Sequence, residues 1–169
     1  MTEYQNEFLR ELAPALLAAQ ERYGLPASAV LAQAILESDW GRSELARKHK
    51  NFFGIKAPSS AKLRSVEAGT REYEGGEVRR VRARFASYAS VEECVEAYAR
   101  ILSLSRYLPA RQVAKKPFAF VRALQRCGYA TDPRYARKLE LIIRRYRLEE
   151  YDGIVAAAAA PRAEEIEST

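Results

Sequence analysis

The stretch AILESDWGRSELARKHKNFFGIKA, residues 34–57, sets an ionisable carboxyl, Glu37, at the end of an otherwise apolar helix pattern. Just upstream, SAVLAQAIL (residues 28–36) is nearly all apolar, and Ser28 reads as the cap that starts this helix. Helical residues seven apart fall about twenty degrees from one line, so Glu37 projects near the line of Val30, flanked by Gln33 and Ala34. Desolvation in that weakly polar setting disfavours the anion and raises the pKa, as a general acid near neutral pH requires. The competing reading is a solvated glutamate at a helix end. Trp40, the sole tryptophan, comes three residues later, followed by Phe52 and Phe53. Flat apolar sugar faces pack on such rings, while amides and Asn side chains bind hydroxyl and acetamido groups. Core packing is the alternative for these rings, and for Phe52 or Phe53 taken singly it is the stronger one.

Working outward, Phe8, Leu12, Leu16, Ala19 and Tyr23 recur at helical spacing, with Pro14 a candidate regular start and Gly24 the stop. Residues 41–60 read as a short helix followed by loop. The period then changes. TREYEGGEVRRVRARF (residues 70–85) has two strand-like runs about Gly75-Gly76, a pair suited to the positive φ of a two-residue turn. That turn sets Glu74 opposite Glu77 and Glu72 opposite Arg79. In the second run Val81, Ala83 and Phe85 alternate with Arg80, Arg82 and Arg84, the pattern of a half-buried strand. Helical patterns return after Ser90, which forms a capping box with Glu93 ahead of Val91, Cys94, Tyr98, Ile101 and Leu102. Pro117 opens a further helix ending at Gly128. Asp132 and Pro133 introduce a last one, with Tyr135, Leu139, Ile142 and Tyr146 inward. The sum is one mainly helical domain over residues 1–150 with a small β-hairpin lobe. The stretch 151–169 reads as a mobile tail because no apolar face persists.

Composition bounds the function. With 169 residues, 48% hydrophobic and 30% charged, the chain suits one globular domain with a real core. The net charge of +6 fits an anionic partner such as nucleic acid, a lipid surface or cell-wall polymer, or simply a solvated basic surface. Neither a membrane-spanning run nor a secretory leader is visible, so any export route is hidden. Cys94 and Cys127 fall at apolar helical positions and read as free thiols. His49, the only histidine, reads as a surface residue, leaving no histidine-based metal site and no Ser/His/Asp set.

These residues carry a specific resemblance. AQAILESDWGRSELARKHKNFFGIK (residues 32–56) is similar to the catalytic segment of the bacterial peptidoglycan β-N-acetylglucosaminidases of glycoside hydrolase family 73, whose pattern is A-x-x-E-S-G-W-G-x-S and then N-x-F-G-I-K. Glu37, Ser38, Trp40, Gly41 and Ser43 match, as do Asn51, Phe53, Gly54, Ile55 and Lys56. CGYATDPRYARKL (residues 127–139) resembles the family's G-Y-A-T-D-P-x-Y-A, and the likeness covers roughly residues 8–147. Asp39 departs from the pattern by replacing a glycine, which puts a second carboxylate two residues from Glu37.

The resemblance implies a lysozyme-like α+β fold, with Glu37 as the acid that cleaves the β-1,4 bond after N-acetylglucosamine. It makes Glu72 the candidate second carboxylate and Tyr129 a tyrosine needed for activity. Trp40, Asn51, Phe52, Phe53, Gly54 and Lys56 become candidate substrate-binding residues. Glu72 as a cross-strand ion-pair partner and Tyr129 as a core tyrosine are the plainer alternatives. A carboxylate separation of roughly 6.5–9.5 Å suits a water-activating base, about 5–5.5 Å a nucleophile, and a third route uses the substrate's acetamido oxygen. The implied partner is the peptidoglycan glycan strand, met outside the cytoplasm by a monomer with no cofactor, no metal, no nucleic acid and no membrane span. Muramidase or lytic transglycosylase action on the same fold, and a non-catalytic wall-binding module, are the competing functions.

Overall fold

Every residue from Ala27 to Ile35 is buried, so the helix that carries them, α2 (Ala27–Ser38), has no face to offer water. In the computed structural model, which describes residues 1–58 and 64–158, α2 is the central element. It is covered by α1 (Glu3–Tyr23), α6 (Pro117–Arg126), α7 (Tyr135–Tyr146) and α8 (Glu149–Ala158). Also present are α3 (Glu44–His49), α4 (Val91–Leu102), a 3-10 turn at Ser105–Tyr107 and α5 (Leu108–Gln112). The mainly helical α+β architecture expected from the sequence is what the structure has.

Two strands, β1 (Ser65–Glu74) and β2 (Glu77–Ala86), form an antiparallel hairpin. Its register pairs Glu74 with Glu77 and Glu72 with Arg79 across Gly75-Gly76, both at positive φ, as the turn chemistry required. The half-buried alternation, however, holds only at the root. Phe85 and Ala86 are buried, whereas Val81 is 37% exposed, because the outer part of the hairpin projects past the helices. At the root, Ala57 N donates to Arg84 O at 2.9 Å and Ala86 N to Ile55 O at 2.9 Å.

Several local expectations need correction. α1 runs through Pro14 rather than starting there. Pro14 sits on the exposed face, so the carbonyl it cannot bond is left to water, while Leu9, Leu12, Ala15 and Leu16 stay packed on the other side. Gly24 does stop the helix, at φ 67° with its N–H donating to Gln20 O. Ser28 is not the cap of α2, which begins one residue earlier after Pro26. Its N–H and hydroxyl instead donate to the two carboxylate oxygens of Asp152, at 2.9 and 2.5 Å. Asp152 thus satisfies, from α8, a donor that the first turn of α2 cannot pair within itself. The stretch read as a tail therefore begins inside a helix. Alanine's helix propensity carries α8 to Ala158, and residues 159–169 lie outside the described residues. On α7, Ile143 is buried and Ile142 only partly so. Both cysteines are free thiols, and burial pushes the Cys94 thiol up to about 12.

Replacing Asp152 with Ala should lower stability by about 1–2 kcal/mol. Urea denaturation checks this through a lower midpoint at unchanged slope.

Candidate active site

Glu37 lies in the last turn of α2, where the buried helix meets an open cleft of about 900 Å³. The end of α2 is shaped by Ser38, whose hydroxyl donates to Ala34 O at 2.5 Å and accepts from Gly41 N at 2.8 Å. The chain then turns through three consecutive residues at positive φ: Asp39 at 51°, Trp40 at 57° and Gly41 at 74°. Gly41 is needed twice over, since a Cβ there would also come within 2.9 Å of the Phe8 ring.

This turn sends the aromatic residues in different directions. Trp40 is buried between helices, edge-on to Phe8 at 5.7 Å and to Tyr146 at 4.7 Å. Phe52 packs against Phe8 at 6.1 Å. Neither lines the cleft, so the sugar-stacking expectation for these two gives way to core packing. Phe53 is buried too, stacked on Tyr98 at 4.1 Å, but one edge of it reaches the cleft wall. Asn51 is committed as a staple. Its Nδ2 donates to Ile55 O and Ala86 O, and its Oδ1 accepts from Ile55 N, all at 2.9 Å. With its amide so engaged it shapes the loop before Lys56 instead of facing the cleft. Gly54 stands beside the acid, where an added Cβ would lie 3.8 Å from Glu37 Oε2.

Glu37 is exposed to the cleft, while the protein atoms packed around its carboxylate partly desolvate it. That crowding raises its pKa above the usual glutamate value. The nearby Tyr135 hydroxyl and the charge of Lys138 pull it partly back. Asp39 has no share in this. Its carboxylate takes both 2.9 Å bonds from Arg42 Nη2 on the exposed side of the turn.

A cluster of tyrosines surrounds the acid. Tyr129, half-buried and on the cleft wall, stacks on Tyr135 at 5.8 Å and contacts Tyr98 and Tyr107 at 6.3 and 5.9 Å. Burial raises the pKa values of Tyr98, Tyr129 and Tyr135, and the charge of Glu37 adds to the effect. Tyr107 and Lys138 escaped the sequence reading. The helical spacing of Tyr98 and Tyr135 suits the buried rings that both have, and says nothing of their hydroxyls. His49 also lines the cleft, with Nδ1 3.3 Å from Ser87 Oγ, and is less superficial than its basic neighbours suggested.

The cleft's far wall is the hairpin. Glu72 lines it and pairs with Lys56, another lining residue, although the register sets Arg79 opposite Glu72. Arg79 turns to Glu74 at 3.4 Å. Arg82 and Glu67 also line the cleft and pair with each other, and Arg84 Nε donates to Ser65 Oγ at 2.8 Å. Among the described residues no cluster of three or more His, Cys, Asp or Glu side chains could hold a metal, and no helix is long and apolar enough to cross a membrane.

The family model named Glucosaminidase, described as mannosyl-glycoprotein endo-beta-N-acetylglucosaminidase, matches residues 13–148. Peptidoglycan hydrolase FlgJ of Pseudomonas aeruginosa is 39% identical over 161 residues, covering 92% of this chain and 40% of that protein. Exo-glucosaminidase LytG of Bacillus subtilis is 37% identical over 156 residues, covering 89% of this chain and 54% of its own length. The chain thus spans about half the length of these curated relatives or less. A crystal structure of a peptidoglycan hydrolase mutant from Sphingomonas sp. A1 superposes with a TM-score of 0.75 at 38% identity, covering 86% of this chain and 96% of that one.

A raised folded-state pKa means that Glu37 favours folding below the unfolded glutamate value, and that this advantage is lost as pH rises through the folded value. Glu37→Gln should therefore raise the melting temperature relative to wild type at pH 7, with the gain fading at pH 4. Thermal scans of both proteins across that range test the sign.

Proposed function

The chain belongs to the glucosaminidase family, and from that premise we propose that it hydrolyses the β-1,4 bond following N-acetylglucosamine in peptidoglycan glycan strands. Glu37 carries the reading: a carboxyl whose proton affinity is raised, in a long open groove, faces the space a glycan would fill. Protonated Glu37 donates to the departing glycosidic oxygen as the bond breaks. The names of the relatives support peptidoglycan as the polymer, and action on the cell wall outside the cytoplasm follows from that substrate.

Glu72 is the second carboxylate in this reading. It faces the groove from the hairpin and is held by Lys56, so its approach to the sugar requires that ion pair to rearrange. Lys56, Gly54 and the edge of Phe53 offer the substrate-facing surface beside Glu37, and Tyr129 contributes ring surface on the opposite side. Trp40, Asn51 and Phe52 support these groups from behind. The enzyme works as a monomer through its own side chains, without a cofactor.

Glu37→Gln should lose about 10²–10⁴-fold in turnover on purified peptidoglycan while keeping wall binding. Glu72→Gln should lose activity too, since the pair acts together. Mass spectrometry of the products checks the bond: N-acetylglucosamine at the new reducing end is expected. A reducing muramic acid would make the enzyme a muramidase, and its anhydro form a lytic transglycosylase. Undiminished behaviour of Glu37→Gln would leave only a wall-binding module.

A further inference from the structure

Behind Glu37 lies a polar arrangement that hydrophobic packing does not explain. Gln33 and Tyr98 are wholly buried, and Tyr135 is 3% exposed. Polar side chains in such a place are costly unless their hydrogen-bonding capacity is used. Here it is used in sequence. The Tyr98 hydroxyl donates to Gln33 Oε1, and Gln33 Nε2 donates to the Tyr135 hydroxyl oxygen at 3.0 Å. A hydroxyl has one proton to give. With its oxygen accepting from Gln33, Tyr135 has its own proton left to offer, and Glu37, one turn beyond Gln33 on α2, is the carboxyl its hydroxyl acts on.

We propose that Gln33 is a positioning residue, the middle of a buried relay Tyr98–Gln33–Tyr135 that aims the Tyr135 proton at Glu37. Both observed bonds run in one direction, from Tyr98 through Gln33 to Tyr135. Gln33 lies on the same helix as Glu37, one turn earlier, and Tyr98 is fixed by its stack on Phe53. The acid is thereby referenced both to its own helix and to α4. This deepens the proposed role of Glu37 and rests on it.

The other groups facing this carboxyl are Lys138 on α7, beside Tyr135, and Tyr129 in the turn before α7. Glu44 and His49 of α3, Lys56, and Glu72 and Arg82 of the hairpin line the same cleft. None of them touches Gln33 through a hydrogen bond, so changes at Gln33 separate the relay from direct charge effects.

The test is the ionisation midpoint of Glu37, followed by carbon NMR in glutamate-labelled protein, with the signal assigned by its loss in Glu37→Gln. Without the Tyr135 donor the anion is less favoured, so Tyr135→Phe should raise the midpoint by about half to one pH unit. Gln33→Leu should move it the same way, and should add nothing in a Tyr135→Phe background. The alkaline limb of kcat/KM on peptidoglycan should rise in parallel, with kcat lowered about tenfold at little change in KM. An unmoved midpoint in folded Gln33→Leu, or an equal shift whether or not Tyr135 is present, overturns the relay. If Gln33→Leu does not fold, Tyr98→Phe decides the matter, because it keeps the stacked ring and removes only the hydroxyl. A smaller upward shift is then expected, and none overturns the proposal. Full activity in Glu37→Gln would sink the catalytic reading, yet the midpoint would still judge the relay. An inactive Glu37→Gln with an unmoved midpoint in Gln33→Leu would sink the relay alone.

Discussion

The structure depends on burying one helix on every side and letting only its last turn reach water. α2 is closed in by four helices, and its small residues Ala29, Ala32 and Ala34 let them approach closely. Its axial position is held at both ends. Asp152 takes the Ser28 donors at the start, and Ser38 ties the final turn to Gly41 at the finish. An ionisable group one turn earlier would pay an unpaired-charge penalty. One turn later it would stand in open solvent with an ordinary pKa. Glu37 sits between those limits, at the C-terminal end of α2, whose partial negative charge further disfavours an anion.

The elements that depend on short-range chemistry were legible in the sequence. Gly75-Gly76 specified the hairpin register, and the Ser90 hydroxyl does accept from Glu93 N at 3.2 Å at the start of α4. The carboxylate at position 37 stood out because it interrupts an apolar run. What the sequence could not convey is which way a turn sends its side chains. Trp40 lies three residues from Glu37, but the run of positive φ from Asp39 to Gly41 swings it into the helical core. Asn51 looked like a ligand for an acetamido group because its type fits that task. The backbone around Ile55 uses the same amide for itself.

Long-range partners were hidden for a related reason. Register alone sets Glu72 against Arg79, yet Lys56 comes from a different part of the chain and captures it. Tyr98 fell on the apolar stripe of α4, and that stripe carries no sign that a hydroxyl meets Gln33 in the interior. The α8 segment had no apolar face to announce it. Its tie is a single aspartate that finds a serine 124 positions earlier. Each of these misses is a pairing between distant segments, invisible to local periodicity.

The hairpin is clamped at one end only. The Asn51 amide and the bonds around Ile55 and Ala57 grip β2 near Phe85, while the strands beyond reach outward largely uncovered. Glu72 lies six residues along β1 from the clamped pair Val66 and Phe85, yet its carboxylate meets the side chain of Lys56, whose backbone bridges to Phe85 at the root. The Lys56 ammonium therefore braces the outer hairpin against its own root, closing a ring of contacts that the backbone bonds alone leave open.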